Sequence, residues 1–153
     1  MDKIIYDRTA TDVSLAKEII ENIIKNDREP NEEQLETLSR GTITLDTIQR
    51  IQKNQAELSK LFFDSFYFGE EVIKKEFSEN DIFNDFDLQN IIGNCHILAK
   101  RFFVYQTTPD NIKAQYTYES INGIEKIIYD LNKNYNFMLS KQKECDTFFC
   151  GED

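Results

Sequence analysis

Ile48-Gln49-Arg50-Ile51, followed seven residues on by Leu58, recurs twice further along the chain: as Leu88-Gln89-Asn90-Ile91 with Leu98, and as Ile121-Asn122-Gly123-Ile124 with Leu131. Each copy has an apolar residue, a carboxamide, a second apolar residue, and then the leucine. An acid stands just upstream each time, at Asp46, Asp87 and Glu119. The three apolar positions of a copy fall on one face of an α-helix. Three helices therefore offer the same stripe to a common core, and the fold class reads as all-α, a helical bundle. The carboxamides sit one step round from the stripe, where they can bond a neighbouring helix. Chance periodicity and duplication of a helical unit both account for the repetition.

Working outward, Val13, Ala16, Ile20, Ile23 and Ile24 step by three and four residues and predict a first helix over 7–26. Thr9, Thr11 and Asp12 can each accept from the unpaired N–H groups at its start. Asn31-Glu32-Glu33-Gln34 is a capping-box pattern and opens a short helix, which Gly41 can end in a left-handed conformation. Thr44 caps a long helix over 45–66, with Ile48, Ile51, Leu58, Leu61 and Phe62 on its stripe. A helical extension is expected next, through Glu70 to Phe77, then a loop over 78–81. Asn84 or Asp85 caps a helix over 86–104, Pro109 marks a loop over 105–115, and Thr117 caps the last helix, 118–139. The expected organisation is a bundle over 1–140, with about four main helices and one short one. A C-terminal tail over 141–153, polar apart from Phe148 and Phe149, is available as a contact arm.

Composition agrees with this reading. With 5 Gly and 2 Pro in 153 residues, little of the chain is spent on turns, which favours long helices over many short strands. The net charge of −10 opposes binding to a nucleic-acid backbone or an anionic membrane. No apolar run reaches the roughly 18 residues a membrane helix needs, and Met1 to Arg8 lack a signal-peptide pattern. Three cysteines, an odd count, argue against a disulfide framework, and synthesis in the cytoplasm is expected.

Few residues suggest chemistry. His96 is the only histidine, and beside Cys95 it reads as a residue at the core edge rather than half of a dyad. Cys145 and Cys150 are spaced wrongly for a structural zinc knuckle, so free thiols and no metal are expected. Asp81, Asp85 and Asp87 lack the glycine and the terminal acid of a calcium loop, and Asp85 and Asp87 suit a helix N-terminus instead. The pairs Glu32-Glu33 and Glu70-Glu71 read as solvated helix faces, and there is no Gly-rich phosphate loop. No cofactor is expected, and no enzymatic activity.

The aromatic run is more informative. Phe62, Phe63, Phe66, Tyr67 and Phe68 cannot all face one side of a helix. Those left at the surface mark an interface. The expected contact residues are Phe63, Phe66, Tyr67, Phe68, Phe148 and Phe149.

Tyr6-Asp7-Arg8-Thr9-Ala10-Thr11-Asp12-Val13 resembles a Tyr-Asp-Arg-Thr-x-x-Asp-Val segment of structural and tail-associated proteins of phages and prophages of Gram-positive bacteria. Leu45-Asp46-Thr47-Ile48-Gln49-Arg50 resembles the Asp-Leu-Asn-Arg-type helix start of that family. Asp87 to Asn94, the Thr-Pro loop at Thr107-Thr108-Pro109, and Tyr118-Glu119-Ser120-Ile121-Asn122-Gly123-Ile124-Glu125-Lys126-Ile127-Ile128 resemble its later segments, in the same order. Phe148-Phe149-Cys150-Gly151-Glu152 is similar to its aromatic ending. The resemblance implies a virion or tail-particle component, a baseplate or fibre-attachment adaptor, that acts by assembly with other subunits as a homo- or hetero-oligomer. A free cytoplasmic regulatory module encoded by a phage is the alternative expectation.

Overall fold

The computed structural model describes residues 1–67, 71–78, 80–100 and 105–149, with side chains described as far as residue 142. Five helices follow in order: α1 (Ala10–Asn26), α2 (Glu32–Gly41), α3 (Leu45–Phe66), α4 (Asp85–Ala99) and α5 (Tyr118–Phe149). The chain is all-α, and there is no strand among the described residues. Four helix starts close by the same device. Thr9 with Asp12, Asn31 with Gln34, Thr44 with Thr47 and Asn84 with Asp87 each exchange side-chain and backbone hydrogen bonds as capping boxes. Two backbone N–H groups that the helix leaves orphaned are satisfied each time.

The repeated stripe forms the core of α3, α4 and α5. Ile48, Leu88 and Ile121 are buried, as are Ile51, Ile91 and Ile124, and Leu58, Leu98 and Leu131. A further position, four residues past the second apolar one, holds Gln55, Cys95 and Ile128, and all three are fully buried. With it the spacing alternates three and four residues, as in packed helix seams. Burying each of these leucines and isoleucines contributes about 1.5–3 kcal/mol. The polar members of the extra layer satisfy one another. Gln55 Nε2 donates to Ile91 O at 2.8 Å and to Cys95 Sγ at 3.1 Å, and Asn94 Nδ2 donates to Gln55 Oε1 at 3.1 Å.

The helices α3, α4 and α5 run parallel. Arg50 meets Glu125, and further along both helices Phe62, Ser65 and Phe66 meet Tyr135. Between α3 and α4 the same order holds. Gln49 reaches Phe77 O and Gln55 reaches Asn94, while the connector pairs Lys75 with Asp87 and Ile73 with Asn94. Parallel neighbours force each connection to travel back the length of a helix. An extended chain covers that distance in about half the residues a helix needs. Residues 71–78 make this return beside α3 and α4. Residues 105–116 run back along α5, where Tyr105 lies under Lys133, Thr108 bonds Asp130, and Lys113 O accepts from Ser120. Residues 2–8 form a third such strap, touching α3 at Lys53 and Asn54 and α5 at Asn122 and Glu125.

Asparagine holds these straps. Asn54 accepts from Asp2 N at 2.9 Å and donates to Asp2 O at 3.3 Å. Asn94, at the same place in its own repeat, accepts from Ile73 N at 2.9 Å and donates to Ile73 O at 2.7 Å. Asn122 grips Arg8 N and O in the same reciprocal way, at 3.2 and 2.8 Å. The corresponding place in the third repeat is Ile127, which lines one cavity with Pro109, a residue with no N–H to offer.

Several expectations are corrected here. The stretch through Phe77 is not a helical extension: residues 71–78 are an extended strap, because Asn94 takes the backbone groups a helix would use. The carboxamides beside the stripe do not bond neighbouring helices. Gln49 and Asn122 bond straps, and Gln89 is exposed. The helix α1 contributes nothing to the bundle core; only its Ala16 is buried, against α2, and Ile24 is 76% exposed. Gly41 does not end α2 with a positive φ. A Cβ there would lie 2.2 Å from Asp12 O and 2.4 Å from Ala16 Cβ, so glycine is needed for the close approach of α1 and α2. The positive φ values belong to Asp27 and Tyr67, the C-caps of α1 and α3. The helix α4 ends at Ala99, and α5 continues through the expected tail to Phe149.

Two glycines give opposite outcomes. Gly41→Ala should cost about 2 kcal/mol or more by forcing the two helices apart. Gly93→Ala, with nothing within 4 Å of the new Cβ, should stabilise by about 1 kcal/mol through helix propensity. Urea midpoints of both variants measure this. Burial pushes the Cys95 thiol from 9.0 up to about 12. The folded chain then holds its proton where the unfolded chain has lost it. Stability should therefore fall as pH rises from about 9 toward 12. A Cys95→Ala variant, measured over the same range, should lose the Cys95 part of that slope and keep the part that comes from the raised Tyr6, Tyr116 and Tyr118.

Candidate functional site

Segments far apart in sequence meet at one buried ion cluster. Arg8 is 3% exposed and Glu125 is fully buried. Arg8 Nη1 lies 2.5 Å from Glu125 Oε2 and also donates to Ile5 O. Arg50 Nη2 stands 2.7 Å from Glu125 Oε1, an ion pair by distance but without the alignment of a hydrogen bond. Burial lowers the Arg50 pKa from its ordinary value, against the pull of Glu125 and with help from Arg8. Two guanidinium groups thus share one carboxylate, and a positive charge is left over. Nε and Nη2 of Arg8 are buried without any hydrogen-bond partner. Leaving such donors unmade costs about 1–3 kcal/mol each.

Beside this cluster lies a cleft of about 700 Å³, between the α1–α2 hairpin and the amino-terminal end of the bundle. Arg8, Arg40, Thr44, Phe83, Tyr116 and Tyr118 are among its walls. The Tyr116 ring meets Phe83 edge-on at 5.2 Å. Arg40 is already engaged, 3.2 Å from Asp7 and 3.5 Å from Asp12. A backbone hydrogen bond from Thr9 and the contact with Arg40 hold the Asp12 carboxyl below its ordinary value. Glu119, on the same wall, is lowered chiefly by its own backbone N–H at the start of α5.

Of the expected contact residues, Phe63, Phe66 and Tyr67 lie at the other end of the bundle, where α3 ends. Phe63 is 58% exposed and Tyr67, the left-handed cap of α3, is 88% exposed. Phe66 is half-buried, packing its ring edge on Tyr135. Phe68 lies outside the described residues, and Phe148 and Phe149 sit on the last turn of α5 with side chains outside the described set. Phe137, at 59%, and Met138 add exposed apolar surface at this end, where α5 outruns α3.

The residues weighed for chemistry are not brought together. Cys95 faces the core while His96 beside it is exposed. Asp87 accepts from Asn84 N and pairs with Lys75 at 3.0 Å, serving its helix start as expected, and Asp81 accepts from Ser78 N. Among the described residues no three His, Cys, Asp or Glu side chains stand close enough to hold a metal ion. Nor is any helix among them long and apolar enough to cross a membrane.

Comparison with known protein families, with curated proteins and with solved structures finds no match to this chain. The first strap, α3 and α5 touch one another at the end of the bundle that holds the ion cluster. Tyr6 packs on Tyr129 at 4.8 Å, Arg8 reaches Asn122 and Glu125, and Arg50 reaches Glu125. Spacing within any one segment could not have exposed this cluster, since Arg8 and Glu125 are 117 residues apart.

Glu125→Gln should destabilise the chain by about 3–5 kcal/mol, because buried Arg8 and part-buried Arg50 lose their counter-charge. Arg8→Met combined with Glu125→Leu should recover a large part of that loss. Chemical denaturation of the two variants, compared by midpoint, checks both statements.

Proposed function

We propose that this chain is a non-enzymatic structural component of a phage or phage-like tail, an adaptor near a baseplate or fibre attachment that works by protein–protein assembly. The observation that carries the reading is the large apolar side chains left at the surface of a chain whose bundle core is filled. Tyr67 and Phe63 at one end, with Phe137 beside them, and Ile24 and Leu35 on the hairpin are all more than half exposed. Exposed apolar surface on this scale is the mark of a surface that partners cover. The order of segments resembling phage structural proteins supplies the particle. The partners are other tail subunits, and the particle is the site of residence.

A rigid bundle suits such a role. Helices locked in parallel by buried ion pairs and strapped on the outside can transmit load between neighbours without rearranging. The alternative, a free phage-encoded regulatory module, rests on the net charge of −10, which suits a basic partner.

Mass spectrometry of purified particles separates the two, since the tail component is present in them and the free module is not. Within the particle reading, replacing Phe63, Tyr67 and Phe137 together by Ser should reduce incorporation several-fold while the helical circular dichroism signal stays at its native value. Normal incorporation of that triple variant would show that this end is not the contact.

A further inference from the structure

The partnerless Nε and Nη2 of Arg8 form the side-on edge of the guanidinium. That edge carries the parallel N–H donors that grip both oxygens of a carboxylate. Arg8 is also a wall of the 700 Å³ cleft, so a donor pair with no hydrogen-bond partner belongs to a residue that borders an open volume. We propose that this cleft binds a carboxylate carried on an apolar or aromatic body, with Arg8 taking the acid group.

Three features of the cleft fix that ligand chemistry. The first is charge: Arg8 and Arg50 share the single carboxylate of Glu125, to which only the more distant Asp2 adds on the Arg50 side, so the cluster favours a monovalent anion next to Arg8. The second is the amino-terminal ends of α3 and α5, which open on the cleft through Thr44 and Thr117 and add the positive ends of two helix dipoles. The third is the wall of rings, Phe83, Tyr116 and Tyr118, which suits a flat apolar body rather than a bare ion. Asp81 and Glu119 stand on the same wall. They would repel a dianion, so a carboxylate is preferred to a phosphate monoester. Arg40 is engaged by Asp7 and Asp12, which leaves the Nε–Nη2 edge of Arg8 as the donor to the acid group. Both donor atoms are closed to solvent in the free chain, so a ligand reaches them only when the groups covering them move.

A free aromatic acid and the carboxylate end of a peptide share this chemistry. The inference is independent of the tail assignment, because it concerns the end of the bundle opposite the exposed aromatic residues. The test is two-dimensional ¹H–¹⁵N NMR on the full chain, following the arginine Nε–H signals and the backbone amides of Tyr116 and Tyr118. The probes are 3-phenylpropanoate, its amide, inorganic phosphate, and the dipeptide acid acetyl-Ala-Phe. The acids should shift the Arg8 Nε–H and both tyrosine amides at millimolar concentration. The amide should bind at least about ten-fold more weakly, and phosphate should leave the signals in place. Tighter binding of the dipeptide than of phenylpropanoate assigns the site to a peptide end, and the reverse order assigns it to a free acid.

Arg8→Lys keeps the charge and removes the side-on fork, so it should abolish binding. Since Arg8 also holds the fold, Tyr118→Ala is the second variant. It lies outside the ion cluster and should weaken phenylpropanoate several-fold while the Arg8 signal of the free chain stays unchanged. Equal binding of acid and amide, no shift at Arg8, or undiminished binding by the Tyr118 variant would each overturn the proposal.

Discussion

One carboxylate, Glu125, sets the arrangement of everything around it. It lies on α5, and its two oxygens face an arginine from α3 and an arginine from the first strap. Apolar stripes alone would not fix this arrangement. Three parallel helices with nearly the same stripe pack almost as well when one slides by a heptad, because leucine and isoleucine are interchangeable within small costs. A buried charge is not so tolerant, since every wrong register strands it without a counter-ion. Arg50 on Glu125 therefore picks the register of α3 against α5. Gln55 on Ile91 O does the same for α3 against α4 through hydrogen bonds.

The parallel order has a second cost, met outside the core. Each helix must be reached by a chain returning from the far end of the one before. That chain is extended, and its backbone polar groups need partners wherever helices cover them. Asparagine answers this need because its carboxamide carries a donor and an acceptor spaced like those of a peptide unit. Asn54, Asn94 and Asn122 thus act as single residues of an absent neighbouring strand. Asn54 and Asn94 hold matching positions in their repeats, so the repetition extends to chemistry as well as to spacing.

Much of the helical skeleton was legible in the sequence. Thr44, Asn31 and Asn84 marked true helix starts, and the stripes of α3, α4 and α5 were read correctly, because caps and stripes are local signals. What failed was set by distant partners. Residues 71–78 have helical composition, yet Asn94 holds Ile73 extended. Gly41 looked like a stop signal, but its reason lies across the hairpin at Asp12 and Ala16. The α1 stripe is genuine, but periodicity does not say what a helix packs against. The fourth core position escaped notice because Gln55 and Cys95 are not read as core residues. The exposed ring of Tyr67 was anticipated from crowding alone, whereas the Arg8–Glu125 pair lay beyond any local rule.

The straps also decide when the molecule can become itself. Arg8, at the end of the first strap, finds its seat on α5, more than a hundred positions later. A nascent chain leaving the ribosome therefore carries Arg8 with no counter-charge until the last helix has been made. Up-and-down bundles close each hairpin as it emerges, but this topology postpones closure of the bundle until α5 has emerged, with a large share of contacts between sequence-distant residues. Until then the apolar faces of α3 and α4 stand open, and quick capture of α5 is what protects them from association with other chains.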